Sequence, residues 1–398
     1  MSRRKIRTLL FSTLFPSSAR PVHGIFVETR LRHLLTTGEV ETQVVAPVPW
    51  FPFSAPIFGE YAAFAATPAY EERHGIKVHH PRYPVLPKIG MNRAPFDLAR
   101  SALPTIRKMI AEGFDFDLID AHYYYPDGVA AMLIARALGK PFVITARGTD
   151  LNLIPQYARP RQLILEAAAE ASASIGVCQA LMDALAALGA DQEKLHVFRN
   201  GVDLERFKPV DRNNARRQLG LPEQHGKLLI SVGHLVARKG HHIVIEALPG
   251  LPPETRLIIA GQGPEAKALR DLAERLGVSE RVHFAGQIPN RELADWYSAA
   301  DALVLCSDRE GWANVLLEAM ACGTPVIATN IWGTPEVVNG HAAGCLMQDR
   351  SPDALQRAFS SLFADLPSRE ETRLYAEGFS WTATSQAQLA LFNRILDR

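Results

Sequence analysis

Two glutamates carry the strongest chemical signal in the chain. Glu310 and Glu318 stand eight positions apart in Glu310-Gly-Trp-Ala-Asn-Val-Leu-Leu-Glu318. The segment follows an apolar run, Ala302–Cys306, and its helix is expected to stop at Gly323. Glu310 then falls in a strand-to-helix turn, where Gly311 allows close backbone approach. Trp312, Ala313 and Asn314 offer free amide N–H groups at the helix start, an arrangement suited to a pyrophosphate. Glu318 lies about one turn into that helix, where a carboxylate can take the vicinal hydroxyls of a ribose. Glu310 is left for another polyol.

A second cluster supplies positive charge. Ser231-Val-Gly233-His234-Leu-Val-Ala-Arg238-Lys239-Gly240 follows a predicted strand. A glycine turn and two adjacent cations before a helix suit a phosphate clamp, with Lys239 a point charge and Arg238 a fork. Expelling a nucleoside diphosphate builds negative charge on the leaving group, and preorganised cations and N–H groups lower that barrier. Gly261-Gln-Gly263-Pro264 is a further strand-to-helix turn, but it lacks the third glycine of a dinucleotide fingerprint. A dehydrogenase is therefore the least favoured reading.

In the first half, Pro21-Val22-His23-Gly24 precedes a predicted helix, another place for amides to approach a phosphate or sugar. His122 ends the strand Leu118-Ile-Asp-Ala-His122, either facing a sugar hydroxyl or sitting in the core. Arg147 ends the next strand. Asp115-Phe-Asp117 matches an Asp-x-Asp metal pattern, but it precedes its strand and so lies at the wrong end for the site. No metal and no dedicated cofactor is expected.

These groups need elements to position them. Strands are predicted at Lys5–Thr13, Thr42–Val48, Ile76–His80, Leu118–Tyr123, Pro141–Thr145 and Ser174–Cys178, with helices at Ile25–Leu35, Ala94–Ala111, Gly128–Leu138, Arg161–Ala171 and Ala180–Leu188. A second series has strands at Leu228–Val232, Arg256–Ala260, Val282–Ala285, Ala302–Cys306, Pro325–Ala328 and Gly344–Met347, again alternating with helices. Alternation of this kind means βαβ units and parallel sheets covered on both faces. The series breaks in the polar stretch Asp203–Pro222. The fold class is therefore α/β: two Rossmann-like, doubly wound domains, residues 1–203 and 204–375, with ligands expected at the strands' carboxyl ends in the cleft they face. Trp381–Leu396 reads as an amphipathic helix.

Composition bounds the rest. The chain has 398 residues, 47% hydrophobic and 21% charged, and a net charge of +1, which argue against disorder and against a globally basic nucleic-acid binder. The four cysteines are scattered, which fits reduced thiols in a cytoplasmic protein. The start, with Arg3-Arg4-Lys5 before an interrupted apolar run, reads as a strand rather than a signal peptide. No run reaches the ~18 residues of a membrane span. Pro49–Pro68 carries Trp50, Phe51, Phe53 and Phe58, and it is followed by Arg82, Lys88, Arg93, Arg100, Arg107 and Lys108. This suits either an anionic membrane surface or aromatics packed beneath a long loop.

Taken together, the chain resembles the retaining glycosyltransferases of family 4, with the GT-B fold. The resemblance spans nearly all of it. It is carried by Gly24, His122, Asn200-Gly-Val-Asp203, Gly233 to Gly240, Gly261-Gln-Gly-Pro264, Glu310-x7-Glu318 with Glu318-Ala-Met-Ala-Cys-Gly323-Thr-Pro325, and Gly333-Thr-Pro-Glu336. The likeness implies a first domain that binds the acceptor, a second that binds the nucleotide-sugar, and a C-terminal helix over 376–398 that returns to the first. It implies that Lys239 binds the donor diphosphate and Glu310 the donor sugar, with help from the backbone of Trp312 to Asn314. Glu318 would bind the ribose, His122 the donor sugar, and Gly24 would line the phosphate side. Gly233, His234 and Gly263 belong to the donor loops. Two positions depart from the family pattern: His234 stands where Arg is common, so Arg238 is the candidate second cation, and Arg147 stands where many members have His. The implied activity is transfer of a hexose-type sugar from a UDP-sugar or GDP-mannose to a glycan or lipid-linked acceptor, without metal, at or near the inner membrane face. The alternatives are a nucleotide-sugar isomerase or epimerase on the same fold and a catalytically silent nucleotide-sugar-binding protein.

Overall fold

Apart from the half-covered Arg7, the side chains of the strand Ile6–Phe11 are buried on both faces, as a central parallel strand requires. It pairs in parallel with Val40–Val45 on one side and Leu118–His122 on the other. The computed structural model in which this is seen describes residues 4–85, 90–221 and 226–397. Arg3, Lys88 and Pro222 lie outside the described residues.

The chain divides into two compact units: Met1–Arg199 with Trp381–Arg398, and Asn200–Ser380. In the first, the sheet runs Leu195–Val197, Ala173–Gly176, Phe142–Ala146, Leu118–His122, Ile6–Phe11, Val40–Val45, Ile76–His79, Tyr70–Arg73. Its pairs are parallel except the last, a hairpin turned at His74-Gly75, both at positive φ. Expected strand bounds shift by a few residues; the hairpin partner Tyr70–Arg73 and the edge strand Leu195–Val197 are additions. The segment expected to be irregular, 49–68, contains the helix Glu60–Ala66. Its aromatics are not core: Trp50, Phe53, Phe58 and Tyr61 are exposed, as is the aliphatic Ile57, and Phe51 packs among Phe53, Phe58 and Tyr61.

The helix Trp381–Ile395 lies in this first unit. Leu391 and Phe392 pack into one cluster with Ile6, Leu34, Val40 and Leu118, and Trp381 stacks on His33 at 5.1 Å between centroids. Its buried Gln388 accepts from Arg30 Nε at 2.9 Å and donates to Asp120 Oδ2 at 2.9 Å. Apolar packing holds the helix, and the polar chain fixes its rotation.

The second unit's sheet is parallel, in the order Val282–Gly286, Arg256–Ala260, Leu228–Val232, Ala302–Leu305, Val326–Thr329, Gly344–Met347. The order reverses beside Leu228–Val232, so the loops after this strand and after Ala302–Leu305 open at the switch point. The polar stretch expected as a boundary holds the helix Arg212–Gln218, capped by Asp211 accepting from Asn214 N. The helix Arg369–Glu377 opens with a capping box between Ser368 and Glu371. Among the described residues, no helix is long and apolar enough to cross a membrane.

Candidate active site

In the second unit three loops are stitched together by backbone contact. Gly233 N bonds Ala260 O at 3.0 Å, and Leu235 N bonds Gln262 O at 2.9 Å. A side chain at Gly261 would overlap Gly233 O, and one at Gly263 would overlap Leu235 O. The strand-end turn at 261–263 thus serves as the mould for the clamp loop. On the other side, Asp308 N bonds Arg238 O at 2.8 Å, and Gly240 lies against Cys306 O at φ 72°. Arg350 ties both loops, donating to Cys306 O at 2.8 Å and Ala237 O at 2.9 Å.

This scaffold brings Lys239 to Glu310. The ammonium Nζ donates to Glu310 Oε1, and the same oxygen accepts from Ser307 Oγ at 2.7 Å. Both side chains are largely covered, so a cation and a carboxylate sit preset at the switch point. His234 is exposed on the same loop. Arg238 is half-buried, and its guanidinium has no ion-pair partner among the described residues.

The helix Asn314–Ala321 begins just beyond. Its N-cap position, Ala313, has no side-chain cap. The amides of Trp312, Ala313 and Val315 and the buried Trp312 Nε1 have no protein acceptor among the described residues, whereas the Asn314 amide, expected to be free, donates to Trp312 O at 3.1 Å because the chain turns tightly there. Asn314 Oδ1 accepts from Asn200 Nδ2 at 3.3 Å. Glu318 Oε2 accepts from the buried Tyr297 hydroxyl at 2.9 Å. Burial pushes the Glu318 carboxyl up to about 7, against the Tyr297 hydrogen bond and Arg206, which favour the charged form.

In the first unit, Gly24 opens the helix Ile25–Leu35 at φ 67°, and any side chain there would overlap the Leu14 carbonyl. Asp127 braces the same loop, accepting from Thr13 N at 2.7 Å, and burial pushes its carboxyl up to about 7. His122 is 1% exposed. Its Nδ1 faces an Arg147 N–H, which can only donate, so Nδ1 accepts and Nε2 carries the proton toward Asp120 Oδ2 at 3.3 Å. Burial, with Arg147 nearby, pushes His122 down to about 4 and keeps it neutral. The structure therefore places His122 as the support of Arg147. Arg147 also stands 5.5 Å from the Phe26 ring centre, and burial lowers its pKa to about 9. Asp117 accepts from Arg7 N at 2.9 Å, and Asp115 pairs with Lys140 at 2.6 Å, so both serve strand-end contacts.

Ser307, Tyr297, Arg350, Asp120 and Gln388 were not among the expected residues. Ser307 had a readable signal, since it directly follows the apolar strand that ends at the site. The others are brought in by tertiary packing from elements whose own pattern says only strand or helix.

The fold and these loops define a glycosyltransferase of the GT-B type. Residues 211–379 match the family model of the glycosyl transferases group 1, and residues 60–206 match that of glycosyltransferase family 4. The chain is 30% identical to a protein of Bacillus subtilis (strain 168) named for teichuronic acid biosynthesis glycosyltransferase TuaC, over 89% of this chain and 88% of that one. It is 31% identical to the D-inositol 3-phosphate glycosyltransferase 1 of Catenulispora acidiphila, over 86% of each. Among solved structures, sucrose-phosphate synthase from Thermosynechococcus elongatus superposes with a TM-score of 0.82 at 20% identity, covering 99% of this chain and 100% of that one. HepE of Anabaena, solved with UDP and glucose, gives 0.72 at 21% identity over 97% and 98%. The chain belongs to the group 1, family 4 glycosyltransferases.

Proposed function

We propose that the chain transfers a hexose-type sugar, with retention and without a metal ion, from a UDP-sugar or GDP-mannose to a glycan or lipid-linked acceptor in polysaccharide synthesis. The observation that carries this is the preset Lys239–Glu310–Ser307 cluster beside an uncapped helix start. Lys239 and the amides of Trp312, Ala313 and Val315 would neutralise the departing diphosphate, which a metal otherwise does. Glu310 would hold sugar hydroxyls and Glu318 the ribose. Departure of the diphosphate from the face the acceptor attacks, with a phosphate oxygen taking the acceptor's proton, gives retention without a protein nucleophile. The solved HepE complex with UDP and glucose supports the donor class.

A thermal-shift series with UDP, GDP, ADP and their sugar conjugates, with and without EDTA, tests this. A ligand at about 100 times its dissociation constant stabilises its fold by ~2.7 kcal/mol. One nucleotide is expected to raise the melting temperature equally in both series. No shift with any nucleotide, or one abolished by EDTA, would overturn the donor assignment or its metal independence. NMR of the product then reads the anomeric configuration, and epimerised free sugar without acceptor would select the isomerase.

The exposed Trp50, Phe53, Ile57 and Tyr61, with the exposed Arg93, Arg100, Arg107 and Lys108, support peripheral attachment to an anionic inner membrane face. Vesicles with anionic lipid should retain the protein at low salt and release it as salt rises. Equal retention on neutral vesicles, or none on either, would dismiss the attachment.

A further inference from the structure

The first unit holds a cavity of about 190 Å³ that none of the residues above explains. It is several times the roughly 30 Å³ share of a water molecule. It opens at the carboxyl ends of three neighbouring parallel strands, Ile6–Phe11, Val40–Val45 and Ile76–His79. The loop Thr13–His23 forms one wall, Pro47 to Pro49 a second, and Phe64, His80 and Tyr83 close it.

One charged side chain lines this cavity: Arg20. Its guanidinium lies 4.7 Å from the centre of the Phe64 ring, which fixes its plane. One nitrogen, Nη2, donates to His23 Nδ1 at 3.1 Å and to Glu60 Oε1 at 3.0 Å. The other two, Nη1 and Nε, donate to nothing among the described residues. The two histidines of the wall are already committed. His23 accepts from Arg20 and so donates through Nε2 to Thr13 O at 3.1 Å. His80 bonds Ala46 O at 2.9 Å and Glu71 Oε1 at 3.0 Å, and Glu71 is in turn held by Ser18 N at 3.0 Å.

Glu60 does not cancel Arg20. Its side chain is 68% exposed at the rim, against 20% for Arg20. An exposed pair of this kind is worth little, because water solvates the free carboxylate nearly as well. An entering anion meets a planar, half-desolvated guanidinium with Nη1 and Nε free, and by displacing the exposed Glu60 carboxylate from Nη2 it completes a fork for bidentate binding of a carboxylate or phosphate. The Pro47, Pro49 and Phe64 walls offer no competing donor.

We propose that this pocket binds an acidic group of the acceptor, a carboxylate or a phosphate, on the free donors of Arg20. The proposal rests on the transferase reading, because it calls the ligand an acceptor. Lys239, the cation assigned to the donor diphosphate, lies in the other unit, so the two anion sites can be tested apart.

The test is calorimetric titration of the full chain carrying Lys239→Ala, which removes the competing cation, with four probes: glucuronate, myo-inositol 1-phosphate, glucose and myo-inositol. The acidic probes are expected to bind more tightly than their neutral counterparts. Adding Arg20→Gln should weaken the acidic probes by about tenfold or more and leave the neutral ones unchanged. Arg20→Lys should restore only part of the loss, since it keeps the charge without the fork. Glu60→Gln, which removes the exposed carboxylate that competes for Arg20, should tighten acid binding severalfold. Acidic and neutral probes bound alike, or an Arg20→Gln chain that is folded and binds acids normally, would overturn the proposal. A preference for glucuronate over the phosphate, or the reverse, names the group. Titration of Arg20→Gln in the Lys239-intact chain with nucleotides separates the two readings. Unaltered nucleotide binding is expected. Nucleotide binding absent from every chain, with acids still bound through Arg20, would leave an anion pocket but overturn its role as acceptor site.

Discussion

Lys239→Ala is expected to lower turnover with the nucleotide-sugar by ~10²–10³-fold, the cost of removing one preorganised group aimed at developing charge. The reason lies in where the ammonium is held. Its backbone is fixed by the loop stitching around Gly240 and Asp308. Its Nζ is fixed by Glu310, which is itself anchored by Ser307. A cation preset in this way stabilises a leaving diphosphate without reorganising during the reaction. The substitution also leaves Glu310 without its counter-charge, so the melting temperature must be measured beside the rate. A large fall in turnover with a small change in melting assigns the loss to chemistry. Lys239→Arg should recover little, because a planar fork does not replace a point charge at the same depth. Near-normal turnover in folded Lys239→Ala would remove Lys239 from the site and transfer the clamp to Arg238, the neighbouring half-buried cation.

Much of this was legible in the chain because parallel α/β sheets write a strong pattern. Strands buried on both faces read as apolar runs, and ligand-binding loops follow them at fixed places. Gly240, Glu310 and Gly24 therefore stood out at strand ends or helix starts. Other elements were readable but missed. Ser368 and Glu371 spell a capping box, and Asp211, in the polar stretch read as a domain break, spells a helix cap. The hairpin strand Tyr70–Arg73 has the pattern of an edge, with alternate exposure and no apolar run. What could not be read is which long-range partners meet. Nothing in the sequence says that Arg350, after the last strand of the second unit, ties the clamp loop at Ala237 O to the strand end at Cys306 O. Nothing says that Gln388 reaches Asp120, or that Arg147 occupies the His122 nitrogen expected to face a sugar. Such contacts depend on side-chain reach between elements far apart in sequence.

Gly240→Ala is expected to damage both stability and nucleotide binding in the second unit. Gly240 combines two demands, a left-handed backbone and a close approach to another backbone segment. Its φ of 72° lies in the left-handed region, where a side chain costs ~1–3 kcal/mol. In addition, a Cβ would overlap the carbonyl oxygen of Cys306, a backbone atom at the end of a buried strand that cannot swing away. Gly277 separates the two effects, because it has a φ of 67° with nothing near its missing Cβ. Gly277→Ala should lose only the conformational part. Gly240→Ala should lose that and a further ~1–3 kcal/mol for overpacking, lowering the melting temperature by several degrees more. The displaced loop carries Lys239 and the Arg238 carbonyl, so nucleotide binding should fall with stability in Gly240→Ala and stay normal in Gly277→Ala. Equal melting of the two variants would show that the left-handed turn alone, and not the close approach to Cys306, requires glycine at this position. Normal nucleotide affinity in a destabilised Gly240→Ala chain would show that the loop can shift without taking the ammonium out of place. It would thereby weaken the case that a rigid Lys239 is what stabilises the departing diphosphate.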